Sequence, residues 1–425
     1  MKKKALALSL AAAMAFSLAA CGGNTDSKTS DAGTQGGGTV ANKDKPVVWF
    51  NRQPSNSTTG ELDMEALNFN KDTYYVGFDA NQGAELQGQM ILEYIKAHID
   101  EIDKNGDGVI GYVLAIGDVG HNDSIARTRG VRSALGTAVK LADGTIDSEA
   151  AGTNTDGSST HVQDGKLEIN GKTYTVRELA SQEMKNSAGA TWDAGTAGNA
   201  ITTWASSFGD QIDIIASNND GMGMSMFNSW SNEKDVPTFG YDANSDAVAA
   251  IADGYGGTIS QHADVQAYLT LRVLRNALDG VDMDTGIGTA DEAGNQLSSD
   301  VFKYVEKERS YYALNVAVTE ENYKDFLDST VTWKPVSNQL DEKTSPEKSV
   351  WLNIYNSTDN FLGSTYQPLL KKYDDLLNLK VEYIGGDGQS EGNITNRMGN
   401  PSAYDAFAFN MVKTDNAASY TTLLQ

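Results

Sequence analysis

A single cysteine, Cys21, stands in 425 residues, so the chain forms no internal disulfide and builds no cysteine-based metal centre. Its four histidines (His98, His121, His161, His262) lack the spacing of a zinc site. There is no Gly-x-Ser-x-Gly elbow for a serine nucleophile. There is also no phosphate-binding fingerprint: Gly221-Met222-Gly223-Met224 lacks a third glycine and a lysine. Positive charge is scarce. Lys and Arg number 33 against 57 Asp and Glu, a formal net charge of −24, which argues against nucleic acid and against a polybasic membrane patch. After residue 20 no apolar stretch is long enough to cross a bilayer.

Residues 1–20 read as a signal peptide: Lys2, Lys3 and Lys4, then an apolar run of small residues ending Leu18-Ala19-Ala20-Cys21-Gly22. This is similar to a bacterial lipoprotein signal, whose cysteine becomes the lipidated N-terminus. Losing three lysines takes the net charge from −24 to −27. Residues 21–45, rich in Gly, Ser, Thr, Asn and Asp without apolar period, read as a flexible tether.

Beyond the tether, short apolar runs alternate with helical patterns, which predicts an α/β protein with parallel sheets of βαβ units. Expected strands cover 46–50, 72–76, 112–116, 212–216, 236–241, 258–260, 350–355, 379–384 and 405–409. A long apolar run spans 310–318. Helical spacing covers 82–99, 130–142, 191–208, 265–278, 368–377 and 416–424, with a short helix at 320–327. Residues 144–174 read as a surface insertion carrying a hairpin turn at Asn170-Gly171. Asn122 or Asp123 is the expected cap of the helix after 112–116, and Asp123 and Arg127 share a face of it, where a plain helix-start salt bridge is the alternative.

Six strands end in a polar residue: Asn51, His121, Asn219, Asp242, Gln261 and Asp359. In open α/β sheets that edge is where ligands bind. Asp accepts, Arg donates, and Asn or Gln does both, a set suited to a neutral polyhydroxylated ring. Trp192 and Phe361 offer flat apolar partners for such a ring; Trp192 is equally suited to pinning the start of its helix. Asp103-Lys104-Asn105-Gly106-Asp107-Gly108 matches the first half of a calcium loop, with Val109 placed to give a carbonyl. Gly111 and Leu114 fill the positions where a complete loop has further ligands, and the alternative is an Asx/Gly turn.

Several pieces together resemble the periplasmic galactose/glucose-binding proteins of bacterial sugar ABC transport. They are Val47-Val48-Trp49-Phe50-Asn51, Tyr74-Tyr75-Val76-Gly77-Phe78-Asp79, the run from Asp103 to Val109, Gly120-His121-Asn122-Asp123-Ser124-Ile125-Ala126-Arg127, Trp192-Asp193, Ser217-Asn218-Asn219-Asp220, Phe239-Gly240-Tyr241-Asp242 and Asp359-Asn360-Phe361. The resemblance implies a two-lobed periplasmic-binding-protein type I fold with three hinge crossings. In that family the piece resembling residues 350–425 comes first, so the chain looks circularly permuted. Lobe 1 would gather 46–75, 262–312 and 349–425, lobe 2 would gather 76–261 and 313–328, and 329–348 would join the family's original ends.

The resemblance also assigns roles. Asn51, His121, Asp123, Arg127, Asn219, Asp242 and Asp359 would bond the sugar, D-galactose or D-glucose, between the rings of Trp192 and Phe361. Gln261 stands where the family has asparagine. Asp103, Asn105, Asp107 and the Val109 carbonyl would hold Ca2+, with Asp213 in place of the family's remote glutamate. The protein would then be a monomeric, extracytoplasmic binding lipoprotein, anchored through Cys21, that closes on a monosaccharide and docks on ABC permease subunits. A sugar sensor for a chemotaxis or histidine-kinase receptor shares the site, and a glycosidase built on Asp123, Asp242 and Asp359 is the rival enzyme.

Overall fold

Val47-Val48-Trp49-Phe50 leaves no face for water, and the computed structural model makes it β1 (Val47–Asn51), buried throughout between two parallel neighbours. A strand covered on both faces reads as an unbroken apolar run rather than an alternation. The structure describes residues 42–55, 62–140, 162–230, 235–287, 301–327, 345–386, 391–411 and 417–425. The signal peptide, Cys21, most of the tether and most of 329–348 lie outside them.

Two seven-stranded sheets form the frame. The first contains β1, β2 (Thr73–Phe78), β9 (Phe302–Val305), β10 (Ser310–Ala313), β12 (Lys348–Ile354), β13 (Leu379–Gly385) and β14 (Ala406–Phe409). Its order is β13-β12-β14-β1-β2-β10-β9, parallel except for β9 at the edge. The second contains β3 (Val109–Ile116), β4 (Gly165–Ile169), β5 (Lys172–Glu183), β6 (Ile214–Ser217), β7 (Thr238–Phe239), β8 (Tyr255–Ser260) and β11 (Val316–Val318). Its order is β11-β8-β7-β6-β3-β5-β4, with β11 and β4 antiparallel at the two edges. Helices cover both sheets, so this is the two-lobed architecture of the type I periplasmic binding fold. Each sheet has its own apolar core, the first around Trp49, Trp351 and Phe409, the second around Tyr112, Leu114 and Ile215.

Among the described residues the backbone passes between the sheets at 78–80, 260–263 and 313–316. Asn315 ties two of these passages together. Its Oδ1 accepts from the Tyr241 hydroxyl (3.0 Å), and its Nδ2 donates to the Asp79 carbonyl (3.0 Å).

Three expectations need correction. The run at 310–318 is not one element: it breaks at Leu314-Asn315 into β10 and β11, which belong to different sheets. The expected surface insertion 144–174 does not hold at its end: residues 165–169 form β4 and residues 172–174 begin the internal strand β5, parallel to β3, whose charged residues hid it because β5 is only partly buried. Its hairpin partner β4 is joined through Asn170-Gly171, both at positive φ as a two-residue turn requires. The expected 130–142 helix is the end of a longer one, Asn122–Ala134.

That helix is anchored from beneath. Fully buried Arg132 forms a bidentate pair with Glu178 of β5, Nε to Oε2 and Nη2 to Oε1 both at 2.7 Å, and the Tyr112 hydroxyl of β3 donates to Oε2 at 2.8 Å. Arg132→Ala should strand the Glu178 carboxylate in the interior and destabilise the protein by about 3–5 kcal/mol. Denaturant unfolding measures this, and a loss below about 1 kcal/mol, the range of an exposed pair, would show that the pair does not hold the helix.

Candidate functional site

Parallel strands that end together bring their last residues to one edge. Asn51, His121, Asp123, Arg127, Trp192, Asn219, Asp242, Gln261, Asp359 and Phe361, scattered over more than three hundred positions, line one small cavity of ≈40 Å³ between the sheets. All ten residues expected at a sugar site are in this lining.

The second sheet contributes most of it. His121, rather than Asn122 or Asp123, caps the Asn122–Ala134 helix, its Nδ1 accepting from the Asp123 N–H at 3.0 Å. The cap fixes the ring and leaves Nε2 buried, with no partner among the described residues. Burial, with Arg52 and Arg127 close by, holds the imidazole well below its ordinary range, so the ring is neutral. Asn219 caps the Asp220–Ser229 helix through its side chain (Met222 N–H, 2.9 Å).

Arg127, 4% exposed, is the hub. Nη1 donates to the Asn218 carbonyl at 2.8 Å, and the guanidinium lies 3.7 Å from both Asp123 and Asp242 and 3.6 Å from the centre of the Tyr241 ring. Its Nε is buried without a partner among the described residues. Burial pushes the Asp242 carboxyl well above the usual range, against the pull of Arg127. Gln261 Nε2 donates to Asp242 Oδ1 (2.9 Å), and Asn51 Nδ2 donates to Gln261 Oε1 (3.4 Å). The longer amide thus links residues of the two sheets.

Trp192 stands over Gly117: a Cβ there would lie 2.3 Å from the indole, so no other residue fits. The ring meets His121 edge-on at 5.4 Å. From the first sheet come Phe361, packed edge-to-face on Tyr366, and Asp359, whose Oδ1 accepts from the Leu362 N–H (2.8 Å). Eight non-glycine residues have positive φ among those described. Asn51, Trp192 and Asp242 line the cavity, and Ala243 and His262 directly follow lining residues. Such strain persists only where surrounding structure enforces it, and it gathers at functional sites.

Sequence reasoning missed Arg52, Tyr355 and Leu362, which also line the cavity. The Arg52 guanidinium stacks 3.7 Å over the Tyr355 ring and donates to the Met411 carbonyl at 3.2 Å. Its place directly after Asn51, at a strand end, was the available signal.

The calcium loop is different. Asp103 Oδ1 accepts from Gly108 N–H, Asn105 Oδ1 from Asp107 N–H, and Asp107 Oδ1 from Val109 N–H, a series of Asx-type turns. Lys172 Nζ lies 3.2 Å from Asp103 Oδ2, where a cation would need that oxygen. Asp213 Oδ2 is held by Gly111 N–H at 2.7 Å, and a Cβ on Gly111 would lie 2.1 Å from the Gln211 carbonyl, so no ligand side chain fits there. Calcium takes six to eight oxygens. Among the described residues no three of His, Cys, Asp or Glu gather around a point that would hold a metal. Asp103, Asn105, Asp107, Val109 and Asp213 therefore do not fit Ca2+ as arranged, and the turn reading accounts for the loop.

A profile described as a periplasmic binding protein domain matches residues 39–282, more than half of the chain, and a second profile of the same description matches 347–417. The chain belongs to the periplasmic binding protein family. This periplasmic binding protein is 26% identical over 285 residues to the D-galactose/methyl-galactoside binding periplasmic protein of Haemophilus influenzae, covering 66% of this chain and 67% of that one. A solved ABC transporter solute-binding protein from Actinobacillus succinogenes with bound D-allose is 17% identical, covering 62% of this chain and 69% of that one, TM-score 0.37. A solved galactofuranose-binding protein is 14% identical, covering 68% and 71%, TM-score 0.37. The chain is a binding protein and not an enzyme.

A bound calcium at a hundredfold excess over its dissociation constant would add about 2.7 kcal/mol. Melting curves with calcium and with a chelator should therefore superimpose, and a clear upward shift with calcium would reinstate the metal.

Proposed function

We propose that this periplasmic binding protein is the substrate-binding lipoprotein of an ABC transporter. It works outside the cytoplasmic membrane, held there by lipid on Cys21, and binds a monosaccharide, D-galactose or D-glucose, in the cleft between its lobes. The observation that carries this reading is the lining of the cavity. Polar residues from both sheets line one space, and two of them, His121 and Arg127, keep a buried nitrogen, Nε2 and Nε, without a partner among the described residues. Buried polar groups are paired in native proteins, so groups left over at a cleft are a ligand's counterparts. A hydroxyl serves either, because it donates and accepts. The sugar named for the Haemophilus relative agrees with this chemistry.

Closure follows from where the partners sit. Asp123, Arg127, Asn219 and Asp242 belong to the second sheet's lobe, Asp359 and Phe361 to the first. A ligand touching both sets gains its full contacts only when the lobes meet, and it favours the closed state by that difference. The closed form would dock on the permease.

We further propose that the chain order is a circular permutation. Counted from β12, the parallel strands of the first sheet read second-first-third-fourth-fifth-sixth, and counted from β3 the parallel strands of the second sheet read second-first-third-fourth-fifth, the same order one strand shorter. That is a common doubly wound order, shared by both lobes only if the first begins at β12. A chain re-cut to begin before β12, with Gln425 linked to the segment before β1, should fold with unchanged ligand affinity; failure to fold would count against the permutation.

Calorimetric titration against a monosaccharide panel tests the function. Trp192→Ala should weaken the bound sugar about ten- to a hundredfold, or about 1.4–2.8 kcal/mol. Unchanged affinity would remove the ring from the site, and a panel without any binder would end the sugar reading.

A further inference from the structure

A larger space adjoins the inner cavity. An outer chamber of ≈280 Å³ shares Asn51, Arg52, His121 and Asp123 with the inner cavity of ≈40 Å³. The lobes are already in contact, since Thr365 of the first donates to Asn244 of the second at 3.2 Å. The chamber is thus present while the lobes touch at that point. Ligand sites commonly run from about 300 Å³ upward, and only the two spaces together reach that size.

We propose that the ligand is larger than one sugar ring: a disaccharide or polar glycoside whose terminal sugar reaches the polar groups of the inner cavity and whose remainder occupies this outer chamber. The inference rests on the sugar reading above and extends it. The lining identifies the class. Two guanidinium groups, Arg52 and Arg129, face two carboxylates, Asp79 and Asp123, so the chamber has no net charge to attract a phosphate or an acid. Gln53 and Ser55 enter from the first lobe, Asn81 and Asn122 from the second, all groups that bond hydroxyls. Ile125 and Ala126 give the apolar patch that one face of a pyranose needs. The rim is organised in advance: Arg129 Nη2 donates to Asn81 Oδ1 at 2.6 Å, and Gln53 Nε2 to Ser55 Oγ at 3.5 Å. Groups held in place lose less freedom when a ligand arrives.

The test is calorimetry on the whole mature chain with D-galactose, D-glucose, their methyl glycosides, and disaccharides that end in the same sugars, such as lactose and cellobiose. At least one disaccharide should bind as tightly as its monosaccharide or tighter. Gln53→Ala and Arg129→Ala, on opposite lobes and outside the inner cavity, should each weaken that disaccharide about tenfold while leaving the monosaccharide within about twofold. Monosaccharide binding with every disaccharide weaker would overturn the proposal and leave the sugar reading standing. Variants that weaken both ligands equally would also overturn it. Binding of neither class would overturn the sugar reading and this one together.

Discussion

The site depends on one buried positive charge. A guanidinium out of water is costly unless it is paired and hydrogen-bonded. Arg127 meets that demand with the Asn218 carbonyl, the Asp123 and Asp242 carboxylates and the Tyr241 ring. Those partners come from the helix after β3, the turn after β6 and the end of β7, three segments that must keep their register for the charge to be tolerated. The charge thus sets the second lobe's half of the cleft before any ligand arrives. It also explains why two carboxylates can lie within reach of one another in a nearly dry space. Both face the same guanidinium, Arg127.

Much of this was legible from residues alone. Buried parallel strands announce themselves as apolar runs, and the polar residue that stops each run falls at the ligand edge. Asn51, Asn219, Asp242 and Gln261 were readable in that way. β5 was not, because it lies one strand from the edge, pairs outward with β4, and keeps charged residues on a half-exposed face. The break at Leu314-Asn315 was not readable either. Nothing in an apolar run tells that its two halves serve different sheets, and only the bond from Asn315 to the Asp79 carbonyl reveals a crossing. The calcium half-motif is ambiguous in a local reading. Asp, Asn and Asp at alternate positions before a glycine suit Asx turns as well as a metal, and the choice lies with Lys172 and Gly111, which are distant or silent in a local reading.

The crossings themselves are economical in polar groups. Asn315, Asp79 and Tyr241 join two passages by hydrogen bonds, while the third leads into the Ala263–Asp279 helix through His262 at φ 48°. Gln261 sits beside that strained residue with its amide between Asn51 and Asp242. A ligand entering the inner cavity would compete with this amide for the same two side chains.

The order in which the chain visits its strands does not disturb any of this, and the reason is geometric. A ligand at a sheet edge senses which strand ends there and which residue follows it; it does not sense in what order the chain visited the strands. β14 and β1 lie side by side although hundreds of residues part them, and their register is as regular as that of β1 with β2. The bonds that complete the site on this side, Arg52 to the Met411 carbonyl and the stacking of Arg52 on Tyr355, cross the same seam. A cut placed in a surface connection removes neither strand pairing nor these contacts. Chain order bears on folding instead: β1 finds β2 at once, but its other neighbour, β14, comes only with the last seventy-odd residues, which also supply β12 and β13. The second lobe, whose parallel strands β3 to β8 are contiguous in sequence, can assemble without that delay.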